Sequence, residues 1–168
     1  MNLEGQLMIE MSRRNVDYIA HHIGNDPVLF KNLMDLVFTK ETKLQLRASW
    51  VATSISDKSP DLLKPYIKKI VTHIDKFNHS GIRRNLLRYL SEIELPDYAK
   101  GKLYDVCSQW LLSREEPPAV KVHCMQIMFN IAEEEPDLKN ELRLFLEELV
   151  DHESAAIRSR SRQLLSRI

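Results

Sequence analysis

The sequence contains few of the residues and motifs that mark a particular chemistry. Its 168 residues include only four glycines and two cysteines, and it has no glycine-rich phosphate loop, no G-x-S-x-G elbow and no H-E-x-x-H motif. A catalytic site would therefore have to be assembled from residues scattered along the chain. No sequence feature supports enzymatic activity or a cofactor, although a scattered catalytic site stays open as an alternative.

Long apolar runs are also missing. No stretch approaches the roughly 18 apolar residues that a membrane-spanning helix needs. The first eleven residues carry Glu4 and Glu10 instead of the basic start and apolar core of a signal peptide. We therefore expect a soluble, cytoplasmic protein with no membrane association, whose residues 1–11 form a short first helix.

The chain lacks linkers as well. It has no segment rich in glycine and serine, and its longest run of like charge is Glu133 to Glu135. Flexible linkers between domains usually have such compositions, and 168 residues suit one domain with a sizeable core. We therefore predict a single domain over residues 1–168.

The few cysteines and histidines do not form a recognisable metal motif. Cys107 and Cys124 fall on apolar helix faces, which favours small buried thiols, while a disulfide or a metal pair is the alternative. His123 adjoins Cys124, but neighbouring helical residues point about 100° apart, so we expect no metal site. His21 and His22 have no identifiable carboxylate or nucleophile beside them, and we expect ordinary surface histidines.

The stretch from Pro60 to Leu95 has the pattern of two helices joined by a turn. Ser59, Pro60 and Asp61 are typical of a helix start, and we expect the first helix to run from Pro60 to near Asp75. A second helix should begin near Ile82 and stop before Pro96. The apolar residues recur every three or four positions: Leu62, Leu63, Tyr66, Ile67, Ile70, Val71, Ile74, then Ile82, Leu86, Leu87, Leu90 and Ile93.

The same pattern recurs along the chain. Four proline–aspartate pairs begin helices, with the prolines 33, 36 and 40 residues apart: Asp26-Pro27, Pro60-Asp61, Pro96-Asp97 and Pro136-Asp137. Three of the second helices carry an apolar residue followed by a basic one: Ile82-Arg83, Val120-Lys121 and Ile157-Arg158. In the second repeat Leu44 is followed by Gln45, and the basic residue Arg47 comes two residues later. Either Gln45 or Arg47 could therefore occupy the basic position of this repeat.

This arrangement resembles the HEAT and armadillo class of helical repeats, in which the second helix commonly begins with a Val-Arg-like pair. The resemblance implies an all-α, right-handed α-solenoid (α-α superhelix) of about five HEAT-like helical pairs. We place the approximate units at residues 1–25, 26–58, 59–95, 96–134 and 135–168. The family also pairs an acid in the preceding turn with the basic residue. The matching pairs here are Asp75 with Arg83, Glu115 or Glu116 with Lys121, and Asp151 with Arg158.

Charge is distributed unevenly although the chain is neutral overall, with 24 basic and 24 acidic residues. The predicted second helices hold twelve basic residues against three acidic ones, a difference of +9, which leaves −9 for the remainder. We therefore expect a molecule polarised between its two helix layers. In the family that the chain resembles, second helices line the concave binding face, so a basic groove is implied.

A partner-binding site is predicted on the first three second helices. We can align the second helices by their recurring apolar residues. In that alignment, equivalent positions are occupied by Arg14 and Tyr18, by Leu46 and Trp50, and by Arg84 and Arg88. Tryptophan and arginine are frequent anchors of interfaces, so we predict Arg14, Tyr18, Trp50, Arg84 and Arg88 as partner-binding residues. If Arg47 marks the register instead, Trp50 belongs to the core.

Two functions fit this sequence. The first is a non-catalytic protein-binding scaffold or adaptor that recognises an acidic protein segment in the basic groove. The alternative is a nucleic-acid-binding protein of the HEAT-like DNA glycosylase type, which the resemblance also allows. A net charge of zero weighs against nucleic acid, because neutralising several phosphates usually takes a strongly basic domain. The sequence makes no prediction about oligomeric state.

Overall fold

The computed structural model describes all of residues 1–168 and contains ten α-helices and no β-strand. They form five successive pairs, in which the odd-numbered helix is the first and the even-numbered helix the second. The helices are α1 (Leu3–Ile9), α2 (Arg13–Ile23), α3 (Pro27–Val37), α4 (Thr42–Ser56), α5 (Ile67–His73), α6 (Ser80–Ser91), α7 (Asp97–Leu112), α8 (Pro118–Glu134), α9 (Lys139–Leu149) and α10 (Ala155–Leu165). The predicted all-α, α-solenoid class is confirmed.

The chain divides into two compact units, Met1–Leu86 and Leu87–Ile168. The first contains α1 to α5 and the first half of α6, and the second contains the rest of α6 and α7 to α10. A single domain over residues 1–168 stays a prediction. No helix of the structure is both long enough and apolar enough to span a membrane.

Side-chain caps explain where several helices begin. The Asp26 carboxylate accepts hydrogen bonds from the backbone N–H groups of Val28 (2.8 Å) and Leu29 (3.1 Å). Pro27 occupies the first turn of α3, where its missing N–H would have had no partner inside the helix. The hydroxyl of Ser12 caps α2 in the same way by accepting from the N–H of Asn15 at 3.1 Å. The helix start predicted at Asp26-Pro27 therefore has its physical cause in this cap.

The first helix of the third pair differs from the prediction. The segment begins with two 3₁₀ turns, Pro60–Leu62 and Lys64–Tyr66, and α5 starts only at Ile67. Pro65 has no N–H to donate to the carbonyl four residues earlier, so an α-helix cannot run unbroken through it. Nor does Ser59 cap this segment, because its hydroxyl donates to the side chain of Asn25.

Each unit buries a set of apolar side chains. In the first, the fully buried large side chains include Phe30, Leu33, Met34, Ile70 and Ile74. In the second, α8 lies against both α9 and α10. Residues of all three helices are fully buried there: Cys124, Met125, Met128, Leu142, Leu146, Ile157 and Leu164. The last helical pair is therefore part of the packed interior of the second unit.

Candidate partner-binding surface on the second helices

A polar side chain near the start of three second helices binds the turn that precedes it. Arg83 donates from Nε to the carbonyl oxygen of Phe77 at 2.8 Å, and Arg158 donates from Nη1 to that of His152 at 2.7 Å. Gln45 donates from Nε2 to the carbonyl oxygen of Thr39 at 2.7 Å. Each bond reaches back six residues, so Gln45 takes the position that arginine takes in the other repeats. We call this the turn-binding position.

One predicted acid–base pair is wrong. Arg158 donates to two backbone carbonyls of its turn, those of His152 and Glu153, whereas Asp151 contacts Arg162 at 3.6 Å. A helical side chain leans toward the N-terminus of its helix, which brings the guanidinium of Arg158 to the carbonyl groups. The pairs predicted for Arg83 and Lys121 stay predictions.

A second polar position lies two residues after the turn-binding position. Arg47 donates from Nη1 to the carbonyl oxygen of Leu7 at 2.7 Å, and Asn85 donates from Nδ2 to the hydroxyl of Ser49 at 3.0 Å. Arg160 of the second unit likewise donates to the side chain of Gln126 at 2.7 Å. Each bond joins a second helix to an earlier helix of the same unit. Arg47 therefore belongs to this cross-helix position. The position after the apolar residue Leu44, which is basic in the other repeats, is occupied by Gln45.

With this register, the predicted binding residues occupy matching positions on their helices. Arg14 and Arg84 match Leu46, and Tyr18 matches Trp50. Arg14 and Arg84 are exposed and contact no carboxylate; Arg84 donates only to the side-chain oxygen of Asn85 at 3.3 Å. Tyr18 is 57% exposed.

Trp50 and Arg88 are more enclosed than Arg14 and Arg84. Trp50 is half-buried and borders a small crevice together with Met11, Val16 and Arg47. Arg88 lies one turn beyond Arg84 in the second unit and contacts the carboxylate of Glu92 at 3.4 Å. Trp50 is therefore partly accessible, and the binding roles of all five predicted residues stay predictions.

A family model described as a HEAT repeat domain matches residues 3–168. The chain belongs to the HEAT repeat family. No curated protein and no solved structure matched the sequence. A HEAT repeat domain is a scaffold of stacked helical pairs, a class that often mediates protein interactions.

The charge of this HEAT repeat domain is not divided between two helix layers as predicted. Within the observed helix bounds, the second helices hold eleven basic and three acidic residues, a difference of +8. The first helices hold seven of each sign and are neutral, so the compensating −8 lies in the connecting segments. The prediction was wrong because many acids lie outside the first helices: Asp26 is a helix cap, and Glu115 and Glu116 lie in the segment between α7 and α8.

Two histidines of the first repeat border pockets. His21 lines an open pocket of about 530 Å³ with Asp17, Lys58 and Ser59, while His22 borders another pocket. The carboxylate of Asp17 is paired with Arg13 at 2.9 Å, and His21 makes no hydrogen bond. General-base catalysis needs the imidazole within hydrogen-bond reach of a nucleophile or an orienting carboxylate. The expectation that His21 and His22 are ordinary surface histidines stays a prediction.

The two cysteines of the fourth repeat are free thiols and are fully buried, as predicted. Cys107 lies on α7 and Cys124 on α8, the two helices of the fourth pair. Burial raises the pKa of the Cys124 thiol well above its usual value, and the neighbouring Cys107 raises it further. Because the thiolate is the reactive form, both thiols should be inert in the folded protein.

Thiol labelling tests this expectation. We expect a disulfide reagent at pH 8 to react with the native protein more than about a hundredfold more slowly than with the urea-unfolded chain, since reaction requires local opening. The unfolded chain should yield two thiols, and prior treatment with a reductant should not change that number. Rapid modification of either cysteine in the native state would contradict the buried pair.

Proposed function

We propose that this HEAT repeat domain is a non-catalytic scaffold that binds an acidic protein segment on the second-helix side of its first unit. The observation that carries the proposal is the pair of exposed guanidinium groups, Arg14 and Arg84, which have no carboxylate partner. Exposed arginines often form ion pairs with acidic side chains of the same helix. Arg14 and Arg84 form none, and both lie on helices with more basic than acidic residues. An external carboxylate would supply the missing partner.

The residues around these arginines suit a protein partner. Guanidinium groups bind carboxylates through two parallel hydrogen bonds, and Tyr18 and Trp50 add aromatic area at matching positions on α2 and α4. Aromatic and arginine side chains are the usual energetic anchors of interfaces. We therefore define the basic surface as Arg14, Tyr18, Trp50 and Arg84, and propose that its ligand combines acidic residues with at least one apolar side chain.

Charge reversal tests the basic surface. A peptide-display selection against the wild-type protein should enrich sequences rich in Asp and Glu, and a selected peptide should be measured by fluorescence anisotropy. We expect the Arg14→Glu/Arg84→Glu variant to bind that peptide at least about tenfold more weakly, because each charge-assisted bond is replaced by repulsion. Its melting temperature should stay nearly unchanged, since neither arginine is buried.

The matched control reverses two charges elsewhere in the same unit. Lys68 and Lys76 are exposed and lie in the first-helix segment of the third pair. Because salt screens the effect of distant charges, Lys68→Glu/Lys76→Glu should leave the peptide affinity within about twofold of the wild-type value. Equal losses in both variants would show a non-specific charge effect. A selection that enriches no acidic residues would also contradict the proposal.

Nucleic acid is the alternative ligand for the same surface. Binding of duplex DNA should be measured in parallel at about 50 and 200 mM salt, where phosphate contacts produce a steep loss of affinity. We expect the acidic peptide to compete with any DNA binding and, at the higher salt concentration, to bind more tightly than the DNA does. Tight, strongly salt-dependent DNA binding with no peptide binding would favour the nucleic-acid function instead.

A further inference from the structure

The open pocket that His21 borders adjoins the basic surface of the first unit. It has a volume of about 530 Å³ and is formed by one face of α2, the end of α4 and the turns that follow these helices, which pack against each other. His21 comes three residues after Tyr18, and Ser54 comes four residues after Trp50. Residues at these spacings are neighbours on a helix surface. A segment bound to the basic surface therefore has this pocket within reach.

The pocket offers several unpaired hydrogen-bond donors. Lys58 and His21 are exposed, and neither side chain makes an ion pair or a hydrogen bond. Asn25 uses its side-chain oxygen to accept from the Ser59 hydroxyl, so both N–H donors of its amide group stay unpaired. Unpaired donors that line one cavity suit a ligand rich in acceptor atoms.

The charge of the lining is positive as well. Arg13 and Lys58 contribute +2 and Asp17 contributes −1, so the formal sum is +1 with His21 neutral. Arg13 and Asp17 pair with each other at 2.9 Å, which leaves the Lys58 ammonium group for a ligand. However, His21 and Lys58 lie near the ends of α2 and α4, where basic side chains also complement the helix dipole. Charge alone therefore does not identify a ligand site here.

A buried hydroxyl distinguishes this pocket from an ordinary charged surface. Ser54 is only 8% exposed and lines the pocket, yet its hydroxyl makes no hydrogen bond within the protein and is not sealed from solvent. Other serines of α4 donate to backbone carbonyl groups: Ser49 to Leu46 at 2.9 Å and Ser56 to Thr53 at 2.7 Å. Buried polar groups nearly always have a partner. The partner of the Ser54 hydroxyl must therefore come from the pocket, as solvent or as a ligand.

We propose that this pocket binds the phosphoryl group of a phosphorylated serine or threonine in the acidic segment. The inference rests on the proposed function, because the same segment would cover the basic surface. A phosphoryl group on a side chain carries a charge of about −1.5 to −2 and three strong acceptor oxygens at neutral pH. It can therefore accept from Lys58, Asn25 and Ser54 together. A carboxylate has two oxygens and a single charge, so it matches this set of donors less well.

Titration of the isotope-labelled full chain with short peptides, followed by NMR, tests the pocket without depending on the basic surface. The probe is an acetylated, amidated pentapeptide of four glycines around a central phosphoserine, and its matches carry serine or glutamate there. We expect the phosphoserine peptide to bind with a Kd below about 1 mM and to shift the signals of His21, Ser54 and Lys58. Both matches should bind at least about tenfold more weakly, since they offer fewer charge-assisted bonds.

Two variants separate recognition from stability. Lys58→Gln should weaken binding of the phosphoserine peptide at least about tenfold. The control Lys40→Gln neutralises an exposed lysine in the turn before α4 and should leave the affinity within about twofold. Ser54→Ala should weaken binding about fivefold without lowering the melting temperature, because the hydroxyl has no partner inside the protein and alanine has the higher helix propensity.

A serine placed at each position of the display-selected acidic peptide in turn, with and without phosphate, separates this inference from the proposed function. At one position at least, phosphorylation should tighten binding about tenfold, and Lys58→Gln should remove that gain. Arg14→Glu/Arg84→Glu should instead weaken both forms of the peptide. If phosphorylation adds nothing at any position while the acidic peptide still binds through Arg14 and Arg84, the pocket inference fails and the proposed function stands. If no acidic peptide binds, the proposed function fails.

Several results with the short peptides would also overturn the inference. They are equal binding of the serine and phosphoserine peptides, no binding of the phosphoserine peptide at millimolar concentration, and undiminished binding to both Lys58→Gln and Ser54→Ala. Equal binding of the glutamate peptide would make the pocket a carboxylate site. Inorganic phosphate distinguishes a free ion from a phosphorylated side chain: if it binds as tightly as the phosphoserine peptide, the peptide ligand is wrong.

Discussion

Ending the chain at Glu135 is expected to unfold the second unit. The truncation removes α9 and α10, and with them four fully buried side chains: Leu142, Leu146, Ile157 and Leu164. Burying each contributes about 1.5–3 kcal/mol, so the total of about 6–12 kcal/mol is comparable with the 5–15 kcal/mol that stabilises a whole domain. The truncated chain would also expose the apolar side of α8, including Met125 and Met128.

Circular dichroism melting and size-exclusion chromatography measure this effect. We expect the 1–135 chain to aggregate or to melt without the cooperative transition of the full protein. The control ends the chain at Ser166, which removes Ile168 and the Arg167 guanidinium that lies 4.7 Å from the centre of the Phe129 ring. An exposed cation–π contact contributes only about 0.5–1 kcal/mol, so this chain should stay folded. A soluble, monomeric 1–135 chain with an unchanged melting temperature would disprove the packing role of the last helical pair.

The helical pairs could be predicted because the sequence repeats a local signal. Asp26 and Pro27 begin α3 through a cap of a few residues, and the apolar period of three to four residues identifies one buried face of each helix. The same period does not distinguish a 3₁₀ turn from the first turn of an α-helix, which is why Pro65 displaced the start of α5. The missing N–H of a proline is tolerated in the first turn of an α-helix. Pro65 lies one turn further along the segment that starts at Pro60, so α5 begins only after it.

The partners of polar side chains were harder to predict than their positions. The apolar–basic pairs correctly located the turn-binding position, but the sequence could not distinguish a turn carboxylate from a turn carbonyl as the acceptor for Arg158. Gln45 fits that position because an amide N–H reaches the same carbonyl.

Replacing the arginine at the turn-binding position of the last pair should destabilise the protein. Arg158→Ala removes two hydrogen bonds, to the carbonyl oxygens of His152 at 2.7 Å and Glu153 at 2.8 Å. Hydrogen bonds to charged groups contribute about 1.5–3 kcal/mol each when buried. Because Arg158 is half-exposed and solvent can replace part of the loss, we expect a decrease of about 2 kcal/mol in the free energy of unfolding. For a chain of this size that corresponds to about 4–8 °C in melting temperature.

Two control variants, one at Arg143 and one at Arg158 itself, decide whether the geometry or merely the charge of Arg158 matters. Arg143 on α9 is exposed and its side chain makes no hydrogen bond or ion pair, so Arg143→Ala should change the free energy of unfolding by less than about 0.5 kcal/mol. Arg158→Lys keeps the charge but loses the fork of donors that reaches two carbonyls, and it should restore no more than about half of the loss. If Arg158→Lys were as stable as the wild type, a positive charge near the turn would suffice. If Arg158→Ala were no worse than Arg143→Ala, the bonds to the turn would contribute nothing to stability.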